Sequence, residues 1–189
     1  TRAAGNVYFG IAFRLNAHGP DSPSQTGDSK KSAYIDNFKW AVDVDGDDTT
    51  LYQGKTALPT YKELGGSARG LGSLSVKFDS DGVLRRVPLL IRYQDGYYPL
   101  LSFRVVCNYL GVGPENILVK PGKHIVLKNA AIPGAPPPRD IVIPIDKHGN
   151  LIVNFIGPWG TMDHYSFADI FLASDDRDLF GLWEDELAG

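Results

Sequence analysis

The chain has 189 residues, 43% hydrophobic and 22% charged, with a formal net charge of −3. That length and apolar content can fill one sizeable core, which predicts a single domain over 1–189. The weak negative charge, without any basic run, argues against a nucleic-acid partner, and no apolar run reaches the roughly eighteen residues that read as a membrane span.

Val7 to Leu15 is an almost continuous apolar run, as expected of a strand buried on both faces. Asn16 to Lys31 is rich in Gly, Pro, Ser and Asp and reads as a long loop, whereas Tyr34 to Val42 shows no assignable period. Asp43 to Gly54 reads as an acidic turn region. Its opening, Asp43-Val44-Asp45-Gly46-Asp47-Asp48, invites a calcium-loop reading. An EF-hand, however, needs Gly at the sixth loop position and a bidentate Glu at the twelfth, where this chain has Asp48 and Gly54. Gly65-Gly66, Gly70 and Gly72 would suit a phosphate cradle, but no Lys-Ser or Lys-Thr pair follows them. Backbone flexibility ahead of a hairpin is the preferred account.

That hairpin is the densest pattern in the chain. Leu74, Val76 and Phe78 alternate with Ser73, Ser75 and Lys77, the period of a half-buried strand. Asp79 to Gly82 supplies a turn with Gly82 at positive φ, and Val83 to Tyr93 is the expected antiparallel return. Pro88 places this return at an edge or a bulge. After a second turn at Gln94-Asp95-Gly96, Pro99 is expected in the first turn of a helix. Leu101, Val105 and Tyr109, with Val106 and Leu110, form the predicted buried stripe, and Gly111 the C′ residue. Cys107, the single cysteine, lies in that helix and reads as a buried, inert thiol.

Farther along, Ile125 to Lys128, Ile141 to Ile145 and Leu151 to Ile156 read as strands, the first two joined by a stiff connector at Pro133 to Pro138. Ser166 with Asp169 resembles a capping box and predicts a short helix over Phe167 to Leu172.

Chemistry is sparse. The histidines, His18, His124, His148 and His164, are widely separated, with no pair at the i, i+4 spacing of a helical zinc site. Asp163, His164 and Ser166 are too close in sequence for a triad, whose members come from distant segments. No catalytic residue, metal site or cofactor is therefore expected. Arg85 and Arg86 are adjacent, so in a regular strand they point to opposite faces. One is expected to pair with Asp79 or Asp81, and the other either does the same or faces a cavity and grips an anionic ligand bidentately. Asn154, on a strand face with Ile152 and Ile156, reads as a buried amide that ties down the Gly157–Gly160 loop or contacts a ligand. Tyr97, Tyr98, Trp159 and Tyr165 belong either to the core or to a pocket wall. The candidate ligand-binding set is Arg85, Arg86, Tyr98, Asn154 and Trp159.

Two blocks carry a resemblance. The run DSDGVLRRVPLLIRYQDGYYPLLSF, from Asp79 to Phe103, resembles the signature of the second class of CHASE domains, the cyclase- and histidine-kinase-associated sensory extracellular domains. A second block, IPIDKHGNLIVNFIGPWGTMDHYSFADIF, is similar to that family's downstream run, and GNVYFGIAF near the start is similar to a weaker family strand. Leu100 departs from the small polar residue usual at the helix start, and Asp21 to Lys62 carries no family pattern. The residue reading and the resemblance together predict an α+β domain around a mixed, largely antiparallel sheet with a few helices, more α/β in character in the intact receptor. The resemblance implies an extracytoplasmic, periplasmic sensory input domain of a bacterial inner-membrane receptor, excised at both ends and flanked by transmembrane helices. It further implies homodimers, an unknown small-molecule ligand, and relay to a cytoplasmic cyclase or histidine kinase. A ligand-free dimerisation or docking module of the same receptor is the alternative, and a hydrolase ranks last.

Overall fold

In a computed structural model, residues 5–15, 33–134, 137–158, 160–166 and 168–169 are described. The chain divides after Val153 into two units, and every strand among the described residues belongs to the first. In chain order the first unit comprises β1 (Tyr8–Leu15), β2 (Asp43–Val44), β3 (Gly54–Pro59), α1 (Lys62–Gly65), β4 (Gly70–Ser73), β5 (Arg86–Pro88) and β6 (Leu90–Tyr93). There follow β7 (Gly96–Pro99), α2 (Leu101–Tyr109), β8 (Ile117–Lys120), β9 (His124–Ala130), β10 (Arg139–Pro144) and β11 (Asn150–Ile152). Two 3-10 turns, Ala33–Phe38 and Pro114–Asn116, complete the set.

The strands form four sheets, in the orders β3-β1-β4, β10-β9-β8-β2, β11-β5 and β6-β7. Only the β1–β4 and β2–β8 pairs are parallel, so the α+β, mixed and largely antiparallel expectation holds. Apolar residues gather in two cores. One contains Trp40, Leu90, Phe103, Cys107, Ile117, Ile125 and Leu127. The other contains Ile11, Phe13, Ile35, Leu71, Ile91 and Tyr98. The β6–β7 hairpin serves both, because successive strand residues point to opposite faces. Leu90 and Tyr97 go to the first core, Ile91 and Tyr98 to the second.

Packing of α2 on β4 explains the glycine run better than flexibility does. A Cβ on Gly72 would stand 2.3 Å from the Leu101 Cα, and one on Gly70 would stand 2.4 Å from the Arg104 Nε. Only glycine lets the helix come this close. At the other end of α2, Gly111 takes φ +66°. The Val112 N–H reaches the Cys107 carbonyl at 2.8 Å and the Gly111 N–H reaches the Asn108 carbonyl at 3.3 Å, which is a Schellman cap with Gly111 at C′.

Several expected elements differ. The predicted strand over 74–78 is an extended coil following β4, and its faces are reversed: Leu74 and Phe78 are 56% and 59% exposed while Ser75 is 9% exposed. The cause is a side-chain clasp. Ser75 Oγ accepts from the Phe13 N–H at 2.6 Å and donates to the Phe13 carbonyl at 2.9 Å, satisfying backbone groups of β1 where β4 has ended. Val83 to Tyr93 therefore does not return on that segment. It divides at the buried Leu89 into β5, which pairs with β11, and β6, which pairs with β7. Pro99 closes β7 opposite Leu90 instead of opening α2. The buried face of α2 is Phe103, Arg104, Cys107 and Leu110, while Val105, Val106 and Tyr109 are exposed. Strand β1 buries Ile11 and Phe13 fully, but its other face is only half covered. The last predicted strand stops at Ile152, and 153–156 is coil. The loop over 16–31, most of the 167–172 helix and part of the Pro133–Pro138 connector lie outside the described residues.

Candidate functional site

Arg85 and Arg86 converge on one acidic turn. The turn closes through Asp79 N–H to the Val83 carbonyl at 3.0 Å and Gly82 N–H to the Asp79 carbonyl at 2.9 Å, with Gly82 at φ +80°. Arg85 grips Asp81 with both ends of its fork, Nη1 to Oδ1 at 2.9 Å and Nη2 to Oδ2 at 2.7 Å, and reaches Asp79 Oδ2 at 3.1 Å. Arg86 Nη1 takes the other oxygen of Asp79 at 2.9 Å. Hydrogen bonding from Arg85, then from the Val83 N–H, holds the Asp81 carboxyl below its ordinary range. The opposite-face expectation fails because Arg85 precedes β5 and is not in a regular strand. Two cations meet two carboxylates, so the cluster carries no surplus charge for an anion.

The other sequence candidates lie elsewhere. Tyr98 is 1% exposed, its ring 5.1 Å from that of Phe13, and its hydroxyl donates to the Ile35 carbonyl at 3.3 Å. Burial holds its phenol well above the ordinary value. Asn154 is exposed in coil instead of buried on a strand, and Ile152 and Ile156 beside it are exposed as well. Trp159 lies outside the described residues. Arg85 and Arg86 share the acidic turn, and Tyr98 belongs to the second core instead.

The acidic run is distributed among separate partners. Asp45 binds Lys120 at 2.8 Å, Asp47 accepts from the Thr49 N–H at 2.9 Å, and Asp48 meets Arg92 at 3.2 Å and the Tyr97 hydroxyl. Burial, aided by Asp48, pushes the Tyr97 phenol up to about 12. Among the described residues no group of three or more His, Cys, Asp or Glu side chains is placed to hold a metal ion. The Cys107 thiol is fully buried, and burial pushes it up to about 12, which suppresses the reactive thiolate. A solvent-open cleft lined by Tyr34, Asn37, Lys62, Glu63, Gly66 and Ser67 lies beside α1.

The feature that sequence reasoning missed is Arg104. Helix α2 carries its guanidinium into the interior, leaving the residue 8% exposed. Nη1 donates to the Phe38 carbonyl at 2.8 Å and the Leu71 carbonyl at 2.6 Å. The guanidinium carbon lies 5.3 Å from the centre of the Trp40 ring and 6.0 Å from that of Phe38, within cation–π range. Nε is buried without a partner, and no carboxylate pairs with this arginine among the described residues. Burial accordingly lowers its pKa to about 10. Buried charges are normally paired with an opposite charge; this one is held by carbonyls and ring faces alone. The neighbouring turn of α2 presents Asn108, whose amide donates to the Tyr8 hydroxyl at 2.8 Å. Tyr8 is the register partner of Gly70. A helical stripe at positions 100, 103, 107 and 110 was the available clue, but an arginine inside it reads as the solvent side.

A family model described as the CHASE2 domain matches residues 9–185. Neither a curated protein nor a solved structure matches the chain.

Proposed function

The chain belongs to the CHASE2 family of extracellular sensory domains, and from that membership we propose that it is the extracytoplasmic input domain of a bacterial transmembrane signalling receptor. In this reading the domain sits on the periplasmic side between transmembrane helices, works as a homodimer and is not an enzyme. It relays ligand binding to a cytoplasmic cyclase or histidine kinase. The carrying observation is the extent of the match, which spans both signature blocks and the strands between them. No helix among the described residues is long and apolar enough to cross a membrane, so this reading assigns the crossing to flanking segments.

The mechanism is a population shift. A ligand that binds one conformation better moves the equilibrium by its differential affinity, and about 1–3 kcal/mol of coupling gives a useful response. The exposed apolar residues Val105, Val106 and Tyr109 on α2 favour a second reading, in which the domain docks or dimerises without a ligand.

A thermal-shift screen of the chain against small organic anions separates the two readings. A ligand at about one hundred times its Kd stabilises by roughly 2.7 kcal/mol, several degrees for a chain of this size. A saturable shift is expected. No shift across a broad panel, together with a mass that rises with concentration, would replace the sensor with the docking module.

A further inference from the structure

Helix α2 is apolar on two faces, and only one of them is covered. We propose that the other, through Val105, Val106 and Tyr109, is the contact between two copies of this chain. The inference rests on the proposed homodimer and names the surface for it. Phe103, Cys107 and Leu110 fill the first core, whereas Val105, Val106 and Tyr109 are exposed, Tyr109 by 66%. A helix that is apolar all round normally lies buried on all sides. Tyr109 follows Val105 by four residues and Val106 by three, so the three side chains form one continuous patch. The patch extends past the helix start. Leu101 backs onto Gly72, Leu74 lies over Gly10, and those two glycines are register partners on β4 and β1. The exposed Leu74 therefore sits beside Leu101.

Two features favour a second copy over a different partner. The only charged residue of α2 is Arg104, which is buried. The outer face thus carries no charge to select an oppositely charged protein and none to repel its own image. The patch is also self-complementary. Positions 101 and 109 are equidistant from 105, so an antiparallel two-fold crossing at Val105 lays each Tyr109 on the Leu101–Leu74 end of the other chain. On the inner side, Gly70 and Gly72 let α2 press against β4, and Arg104 holds carbonyls of Phe38 and Leu71. The outer face is therefore presented preformed, at little ordering cost on association. Area sets the strength. The four exposed side chains offer on the order of 400 Å², about half of what each partner gives a standard stable interface. Such a contact suits a reversible dimer that dissociates at micromolar concentrations or above.

Sedimentation equilibrium of the chain, reading mass against concentration, tests this. A monomer–dimer equilibrium is expected, weakened about a hundredfold by Val106→Glu, because the two-fold axis brings like charges into one apolar contact. Leu58→Glu, exposed on β3, should leave it unchanged. Should Val106→Glu not fold, Val105→Cys decides. The chain's single cysteine is buried, so a short bis-maleimide should join two chains through the new thiol and not through that of Leu58→Cys. A dimer that survives Val106→Glu, or that links equally through Leu58→Cys, overturns the proposal and leaves the homodimer standing on another surface. A monomer at every concentration reached overturns it as well. In that case a Val105→Cys thiol shielded from maleimide assigns the face to another segment of this chain, and an open one assigns it to a different protein. None of these results touches ligand binding, which the thermal screen reads separately.

Discussion

At Asp146 a single carboxylate organises the turn between β10 and β11. Its Oδ1 accepts the backbone N–H of His148 at 2.8 Å and of Asn150 at 3.0 Å, while Oδ2 accepts the Asn150 amide at 3.0 Å. Burial alone would raise its pKa. The hydrogen bonds from Asn150 and His148 outweigh burial, and the net shift is below the ordinary 3.8. A depressed carboxylate contributes stability that is present above its unfolded value and lost as the pH falls through its folded value. Stability from this turn is therefore complete at neutral pH and declines only below about pH 4. Asp146→Asn, which cannot titrate, should be less stable than wild type at about pH 6, with the gap closing as the pH approaches about 3. Urea midpoints at the two pH values check this; a gap of constant size would show that the carboxylate charge is not the source.

The junction of β1 with β4 depends on one hydroxyl to do what a further pair of ladder bonds would otherwise do. Ser75→Ala would leave the Phe13 N–H and carbonyl unpaired in a buried site, at a cost of about 1–3 kcal/mol. The same change at Ser80, exposed in the acidic turn, should stay within about 0.5 kcal/mol. Equal effects in chemical denaturation would remove the clasp from the account. Ser75 also shows what was and was not legible in the sequence. The alternation from Ser73 to Phe78 is real, but period two only states that faces differ; a serine that satisfies backbone inverts which face is buried. Likewise, 3.6-residue periodicity found α2 and its glycine cap, yet the stripe through Leu101, Val105 and Tyr109 and the stripe through Phe103, Cys107 and Leu110 are equally apolar on paper. The first stripe was chosen on its apolar content alone, and Arg104 on the second is held at a core position by partners that only the tertiary structure supplies. The turn at Asp79–Gly82 and the strands β9 and β10 were readable because their signals are local. The convergence of Tyr8, Gly70, Arg104 and Asn108 was not, since it spans about a hundred residues of separation between β1 and α2.

Across the whole of the first unit, the two cores share elements, which predicts that they melt together. Leu90 and Ile91 are adjacent on β6 yet fill different cores, as do Tyr97 and Tyr98 on β7. Arg104 adds a second tie, donating to carbonyls of Phe38 and Leu71 beside the second core while lying over Trp40 of the first. If the cores are one cooperative body, damage in either must register in both. Ile91→Ala removes a fully buried side chain from the second core and should cost about 2–5 kcal/mol. Trp40 fluorescence, in a background with Phe at positions 159 and 183, reports from the first core. The expected outcome is a single urea transition whose midpoint falls by the same amount when read by Trp40 emission and by far-ultraviolet circular dichroism. A Trp40 midpoint unmoved by Ile91→Ala would mean two independently melting cores. Such a body would have no rigid path from one core to the other. A common midpoint instead makes α2 and the β6–β7 hairpin the elements through which binding at one side biases the packing of both cores.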